Sequence, residues 1–318
     1  MKTLRDIGEN GLLRGILPLL PQRPDVVVGP GDDCAVVRAA GSSDDWLFTT
    51  DPVIERRHFL PETPARLVGR KAIARAVSDI AAMGGTPLWI LVDLVAPAAT
   101  PLARIRGLYA GMIAAAKSWN LAILGGDTAE GDTLELHVTG VGRIPRGAAV
   151  LRSGARAGDL VYVTGTLGGA YLPGCRHHLT FEPRLAAGRF LAEKKFATAL
   201  MDLSDGLAAD LPRLLDASQR GVRLEAAAIP LSRAARKTLQ PLHHALCDGE
   251  DFELLFTVAP ENRVRFESAW NRKFPELPAT RIGAILADPK RRCLHFPGGP
   301  AVPLQAGGYQ HFLSTRSR

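Results

Sequence analysis

The sequence predicts two domains of mixed α and β structure, and three observations carry that prediction. The chain has 318 residues, enough for about two domains at ~150 residues each, and 46% of them are hydrophobic, enough to fill their cores. Short runs rich in Val, Leu, Ile and Thr alternate with amphipathic stretches through both halves. A Gly- and Arg-rich passage, "VGRIPRGAAVLRSGARAGD", interrupts the series and puts the boundary at 146–156, between domains of 1–148 and 149–318.

Taken in order, the N-terminal "GLLRGILPLLP" follows Glu9 and is broken by Arg14, so it lacks the apolar core of a signal peptide. No run approaches the ~18 apolar residues of a membrane span, and an uncleaved cytoplasmic chain is expected. Strands are predicted at 25–28, 34–38, 46–50, 88–95, 121–124 and 134–143, each bounded by Gly, Pro or Asp. Between them, Leu67, Val68, Ala72, Ile73, Ala76, Val77, Ile80 and Ala81 recur at helical spacing, and Gly84, Gly85 and Pro87 end that helix. A second helix covers 101–118, with Pro101 in its first turn. The second half continues with strands at 160–164, 197–201, 252–258 and 281–286 and helices at 183–193, 205–217 and 261–272.

Composition narrows the function. The four cysteines, Cys34, Cys175, Cys247 and Cys293, form no C-x-x-C pair, which points away from zinc sites and disulfide frameworks. The net charge of +7 is spread along the chain without a basic block, so no nucleic-acid partner is expected.

The chemistry-bearing signal is acidic. Asp51 follows "WLFTT", Asp127 follows "LAILGG", Asp202 and Asp205 follow "ATAL", and Asp32 and Asp33 sit in the glycine turn of "GPGDDC". With Asp79 on the first helix, seven carboxylates lie beside core elements, where unpartnered charge is costly. Singly, each also fits a cap or turn, Asp205 as the cap of the helix at "GLAADL" and Asp127 as support for the turn after Gly125 and Gly126. Together they would repel one another unless a cation neutralised them, and an all-oxygen set suits Mg²⁺ or Mn²⁺. Magnesium commonly joins carboxylates to substrate phosphates, which leads to phosphoryl transfer. Neither a P-loop nor a dinucleotide fingerprint is present, so any nucleotide must be held through metals and scattered donors.

The motifs "GPGDDCAVV", "TTDPVIERRHF", "AVSDIAAMGGTP", "LGGDTAEG", "LRSGARAGDLVYVTGTLG", "MDLSDGLAADL", "DGEDFELLFTV" and "GGYQHF" occur in that order over nearly the whole chain. In them the chain resembles the bacterial thiamine-monophosphate kinases, of the superfamily that includes aminoimidazole ribonucleotide synthetase, selenophosphate synthetase and HypE. The resemblance implies an α+β, two-domain aminoimidazole-ribonucleotide-synthetase-like fold. Its N-terminal domain, a mixed sheet, would bind ATP and metal and pair in a homodimer, and its C-terminal domain would be an α/β sandwich. It implies ATP-dependent phosphorylation of thiamine monophosphate to thiamine diphosphate with several Mg²⁺ ions. By motif position, Asp33, Thr49, Thr50, Asp51, Asp79, Asp127, Asp202 and Asp205 are the implied metal ligands, with Asp51, Asp127 and Asp205 the catalytic ones. Gly126, Asp127, Arg152 and Ser204 are implied for ATP, and His58, Glu250 and Tyr309 for the acceptor.

Three departures from the family pattern concern the acceptor side: Arg56-Arg57 before His58, a short 171–182 segment, and Gln310 in place of an acidic residue. The alternatives are a related ATP-using enzyme with another acceptor and a non-catalytic nucleotide-binding regulatory paralogue. Among the former, a HypE-like reading is disfavoured by the end "STRSR", which has no cysteine.

Overall fold

The computed structural model describes residues 2–312. The end "STRSR", which bears on the HypE alternative, lies outside the described residues. After a helix, α1 (Leu4–Ile16), the first half contains β1 (Val26–Val28), β2 (Ala35–Val37), β3 (Asp44–Ile54), α2 (Ala65–Ala82), β4 (Thr86–Ala96), α3 (Leu102–Ser118), β5 (Ala122–Gly125), β6 (Thr128–Glu130) and β7 (Glu135–Pro145). Its sheet has the order β1-β2-β3-β7-β4-β5, with β6 also paired to β4. The second half contains β8 (Leu160–Thr164), α4 (His177–Thr180), α5 (Leu185–Glu193), β9 (Ala197–Asp202), α6 (Leu207–Ser218), β10 (Gly221–Glu225), α7 (Pro241–Cys247), β11 (Leu254–Val258), α8 (Arg263–Lys273), β12 (Ala279–Leu286), β13 (Arg292–His295) and β14 (Ala301–Pro303). These strands form a separate sheet, β14-β13-β10-β12-β8-β11-β9. The two-domain, mixed helix-and-sheet fold expected from the sequence is the fold observed.

The strand predicted at 46–50 is longer, because β3 pairs with β7 from Asp44 through Ile54 and carries Asp51 inside the ladder, opposite Val138. Pro52 is tolerated there because β2 pairs with β3 only as far as Phe48, which leaves Pro52 on a stretch with one unpaired edge. The strand predicted at 252–258 starts later, at Leu254, since Glu250 and Phe252 take left-handed φ values of 58° and 50° that no ladder accepts. Pro101 is the N-cap of α3, one residue ahead of the first turn expected for it.

The helix read from "PARLVGRKAIARAVSDIAAMG" is α2, and it is the central element. It packs on β3, β4 and β7 and also on α5 and β9 of the second half. Val68, Ile73, Val77 and Ile80 are fully enclosed, each worth ~1.5–3 kcal/mol of apolar burial. α3 crosses it closely: a Cβ at Gly69 would lie 2.0 Å from the Leu108 carbonyl oxygen, and one at Gly111 would lie 2.0 Å from that of Arg66. α2 therefore has little freedom to shift, and the polar side chains on it are held in place. Among the described residues no helix is long and apolar enough to cross a membrane.

Candidate active site

The turn after β1, the middle of β3, the end of α2 and the end of β9 meet at one point. There Asp33, Asp79 and Asp202 each bring a carboxylate oxygen within 4.8 Å of the other two. The side chain of Asp33 is 1% exposed and Asp202 is 3% exposed. Hydroxyls supply part of the missing solvation: Ser78 Oγ donates to Asp202 at 2.5 Å, and Thr49 Oγ1 donates to Asp79. Among the described residues Arg152 is the one cation in hydrogen-bond contact, forking onto Asp33 at 2.6 and 3.1 Å. Asp32 holds the turn, accepting the backbone N–H groups of Asp33 and Arg152, each at 3.0 Å.

The electrostatics follow from burial and like charge. Burial, then Asp51, Asp202 and Asp33, push Asp79 well above the ordinary carboxylate range. Burial and Asp33 push Asp202 up to about 7, and burial and Asp33 push Asp32 up to about 6. A divalent cation fits this donor set, because it would remove the repulsion, and the donors are all oxygens.

The other expected ligands are more dispersed. Asp51 lies on the same strand face as Thr49, two residues on, while Thr50 between them presents its exposed side chain to the opposite face. Asp127 is exposed in the turn between β5 and β6. Its backbone N–H donates to Asp93 at 2.9 Å and its Oδ1 accepts from Thr128 N–H at 2.8 Å, so it supports its own turn. Gly126 is required there: its φ is +153°, and a Cβ would fall 1.8 Å from the Val92 carbonyl oxygen. Asp205 does not cap α6. Gly206 is the N-cap, Asp205 pairs with Arg213 at 2.7 Å, and the acceptor for the N–H groups of Asp205 and Gly206 is Asp210 at 2.9 and 3.1 Å.

His58, Glu250 and Tyr309 line one pocket with Arg57, Arg75, Tyr171 and His311, and Ser204 and Asp205 line it too. It encloses about 30 Å³, space for a water or two. Glu250 is clamped by Arg75 at 2.9 Å and by Lys71, whose Nζ lies 2.5 Å from Oε2 as an ion pair without hydrogen-bond alignment. Burial would raise the Glu250 pKa, but Lys71 and Arg75 outweigh it and hold the carboxyl below its usual value. Burial and the charge of Arg75 push His58 down to about 3, so its ring is neutral. Its Nδ1 accepts the Ile54 N–H at 2.9 Å, which leaves the ring proton on Nε2. Of the two arginines before His58 only Arg57 lines the pocket; Arg56 takes a turn position with φ +63°. The short 171–182 segment contributes Tyr171, whose ring lies tilted against His178 with centroids 4.3 Å apart and has Lys71 Nζ 5.4 Å from its centre.

Sequence reasoning missed Lys71, Arg75 and Ser78. The signal was present: positions 71, 75, 78 and 79 fall on one face of α2, so the helix carries a polar stripe through its apolar surroundings. The "DGEDFE" run also does more than place Glu250. Asp248 accepts from Gly169 N–H at 2.8 Å and Asp251 from Gly168 N–H at 2.9 Å, tying the run to the turn after β8, while Glu253 accepts from Thr164 at the end of β8 and from Arg184 at the start of α5.

This two-sheet fold, with a carboxylate cluster beside a cation-lined pocket, defines an AIR synthase related protein. The model of that family's N-terminal domain matches residues 31–144 and that of its C-terminal domain matches 156–294. Within the family, the chain belongs to the thiamine-monophosphate kinases. It is 39% identical to the thiamine-monophosphate kinase of Rhodopirellula baltica, over 83% of this chain and 85% of that one. It is 34% identical to that of Escherichia coli K12, over 92% and 94%. The solved structure of AaThiL complexed with AMPPCP and TMP superposes with a TM-score of 0.82 at 31% identity, covering 98% of this chain and 99% of that one.

Proposed function

We propose that this chain transfers the γ-phosphoryl group of ATP to the phosphate of thiamine monophosphate, giving thiamine diphosphate, with Mg²⁺ at the carboxylate cluster. The observation that carries this reading is the adjacency of two sites: Asp202 belongs to the cluster, and Ser204 and Asp205, on the same loop, line the pocket of His58, Glu250 and Tyr309. A donor held at the first site would face an acceptor held at the second.

Asp33, Asp79 and Asp202 would hold the metal with Thr49 and Asp51, and the family pattern adds Thr50, Asp127 and Asp205. When bound, Mg²⁺ supplies charge neutralisation for the phosphates. The chain's own residues position the reactants. Gly126, Asp127, Arg152 and Ser204 would hold the nucleotide, Arg152 by a planar fork suited to two oxygens. His58 offers a neutral N–H, Glu250 a fixed carboxylate and Tyr309 a ring face to the acceptor. The acceptor phosphate is ionised at neutral pH, so no strong general base is needed and catalysis consists of alignment and charge stabilisation.

The same reading assigns nucleotide, metal and dimer contacts to residues 1–148, with 149–318 as the second domain, in a cytoplasmic protein. A homodimer is supported by Phe48, Trp89, Leu91 and Leu124, large apolar side chains exposed on strands of the first sheet.

The test is direct. Purified protein supplied with ATP, Mg²⁺ and thiamine monophosphate is expected to form thiamine diphosphate, resolved by chromatography. Asp51→Asn and Asp127→Asn are each expected to lower kcat ~10³-fold. Undiminished turnover in both variants would refute the metal role.

A further inference from the structure

α2 carries an arginine at its centre whose side chain is only 12% exposed. Arg75 forks onto Asp51, with Nη2 2.7 Å from Oδ1 and Nε 3.1 Å from Oδ2, and its Nη1 donates to Glu250 Oε1 at 2.9 Å. The Phe252 ring backs the guanidinium at 5.6 Å. One side chain therefore joins a residue of the proposed metal site to a residue of the acceptor pocket.

The two partners depend on it unequally. Glu250 has Lys71 as a second cation, whereas Asp51 has no other ion-pair partner among the described residues. Two events would compete with this bridge. A divalent cation binding at Asp51 takes the oxygens that Arg75 holds. A two-ring acceptor needs a pocket of roughly 300 Å³ or more, and the pocket holds about 30 Å³ with Arg75 in its wall, so an acceptor that widens it at this wall displaces the bridge. Either event frees a guanidinium whose fork matches a phosphate. The neighbouring cations are placed differently: Lys71 is fully enclosed behind Glu250 and does not line the pocket, and Arg57 lines it with an exposed side chain.

We infer that Arg75 is a charge-exchange residue: it leaves Asp51 for the phosphate of the acceptor, binding the substrate by its reacting group and coupling acceptor recognition to cation binding at Asp51. The identity of the acceptor rests on the kinase reading above; the exchange at Asp51 does not.

The experiment compares wild type with Arg75→Met and Arg75→Lys. Mn²⁺ binding to nucleotide-free protein, followed by electron paramagnetic resonance, is expected to tighten about tenfold in Arg75→Met, because the competitor for Asp51 is gone. In the same variant KM for thiamine monophosphate should rise about tenfold or more while KM for ATP stays within about twofold, and Arg75→Lys should recover part of the loss. A merely structural arginine would weaken Mn²⁺ binding and raise both KM values together, and that result, or no change in Mn²⁺ affinity, overturns the inference. If wild type forms no thiamine diphosphate, the kinase reading falls instead. The exchange is then decided by Mn²⁺ affinity and by calorimetric binding of inorganic phosphate, expected in wild type and lost in Arg75→Met; phosphate binding equal in both would overturn it.

Discussion

Two acidic sites lie along one face of α2, a turn apart, and they are balanced in opposite ways. Around Asp79 three carboxylates share one arginine and two hydroxyls, and the pKa values of Asp79 and Asp202 are raised. Around Arg75 two carboxylates share an arginine and a lysine, and the equally buried Glu250 has a lowered pKa. Burial is common to both, so it does not decide the outcome; the number of cations within reach does. The first site is short of positive charge and suits a metal. The second already has its positive charge, on side chains that can be re-partnered.

Asp202→Asn should break the first half of this contrast with the largest effect. Turnover is expected to fall ~10³-fold, while metal-free stability moves the other way. The Asp202 carboxyl has a folded pKa of about 7 against an unfolded value near 3.8, so between those limits the native state holds the extra proton. Its contribution is present in full below the unfolded pKa and is lost as pH rises through about 7. Thermal melts in EDTA from pH 4 to 8 should therefore show wild type losing stability that the variant keeps. A variant melting below wild type at pH 8 would contradict the proposed charge deficit.

Lys71→Met probes the second half. It removes one of the two cations on Glu250 and is expected to cost about 3 kcal/mol, the low end for breaking a buried pair, because Arg75 remains. Urea titration measures this, and a loss below about 1 kcal/mol would mean that Lys71 contributes little to the balance. Arg57→Ala should have the smallest effect. Being exposed, Arg57 should change stability by no more than about 0.5 kcal/mol and raise KM for thiamine monophosphate two- to threefold, roughly a rim contact. A rise as large as that for Arg75→Met would move the phosphate contact from the helix to the rim.

Much of this was legible in the sequence for local reasons. α2 announced itself by apolar spacing, and the turn of Asp32 and Asp33 by its glycines. β10, β13 and β14 were not legible: "GVRLE", "RCLH" and "AVP" have too little pattern to stand alone, and they are strands because β13 pairs with β10 in parallel and with β14 in antiparallel. α1 and α7 were missed for the same want of a clear period. Asp205 as the cap of α6 was a fair reading of residue type. It failed because Asp210, one turn into the helix, reaches the same N–H groups.

By itself the sequence determined which residues carry charge beside core elements, the order of the motifs and the two-part mixed fold, since each depends on neighbours close in the chain. Tertiary structure alone decided which charges meet. Asp33, Asp79 and Asp202 come together from a turn, a helix and a strand end, and Arg75 reaches Glu250 across 175 positions of chain. Whether a buried carboxylate is paired or left in repulsion depends on distances of a few ångströms, and those are set by packing α2 against both sheets.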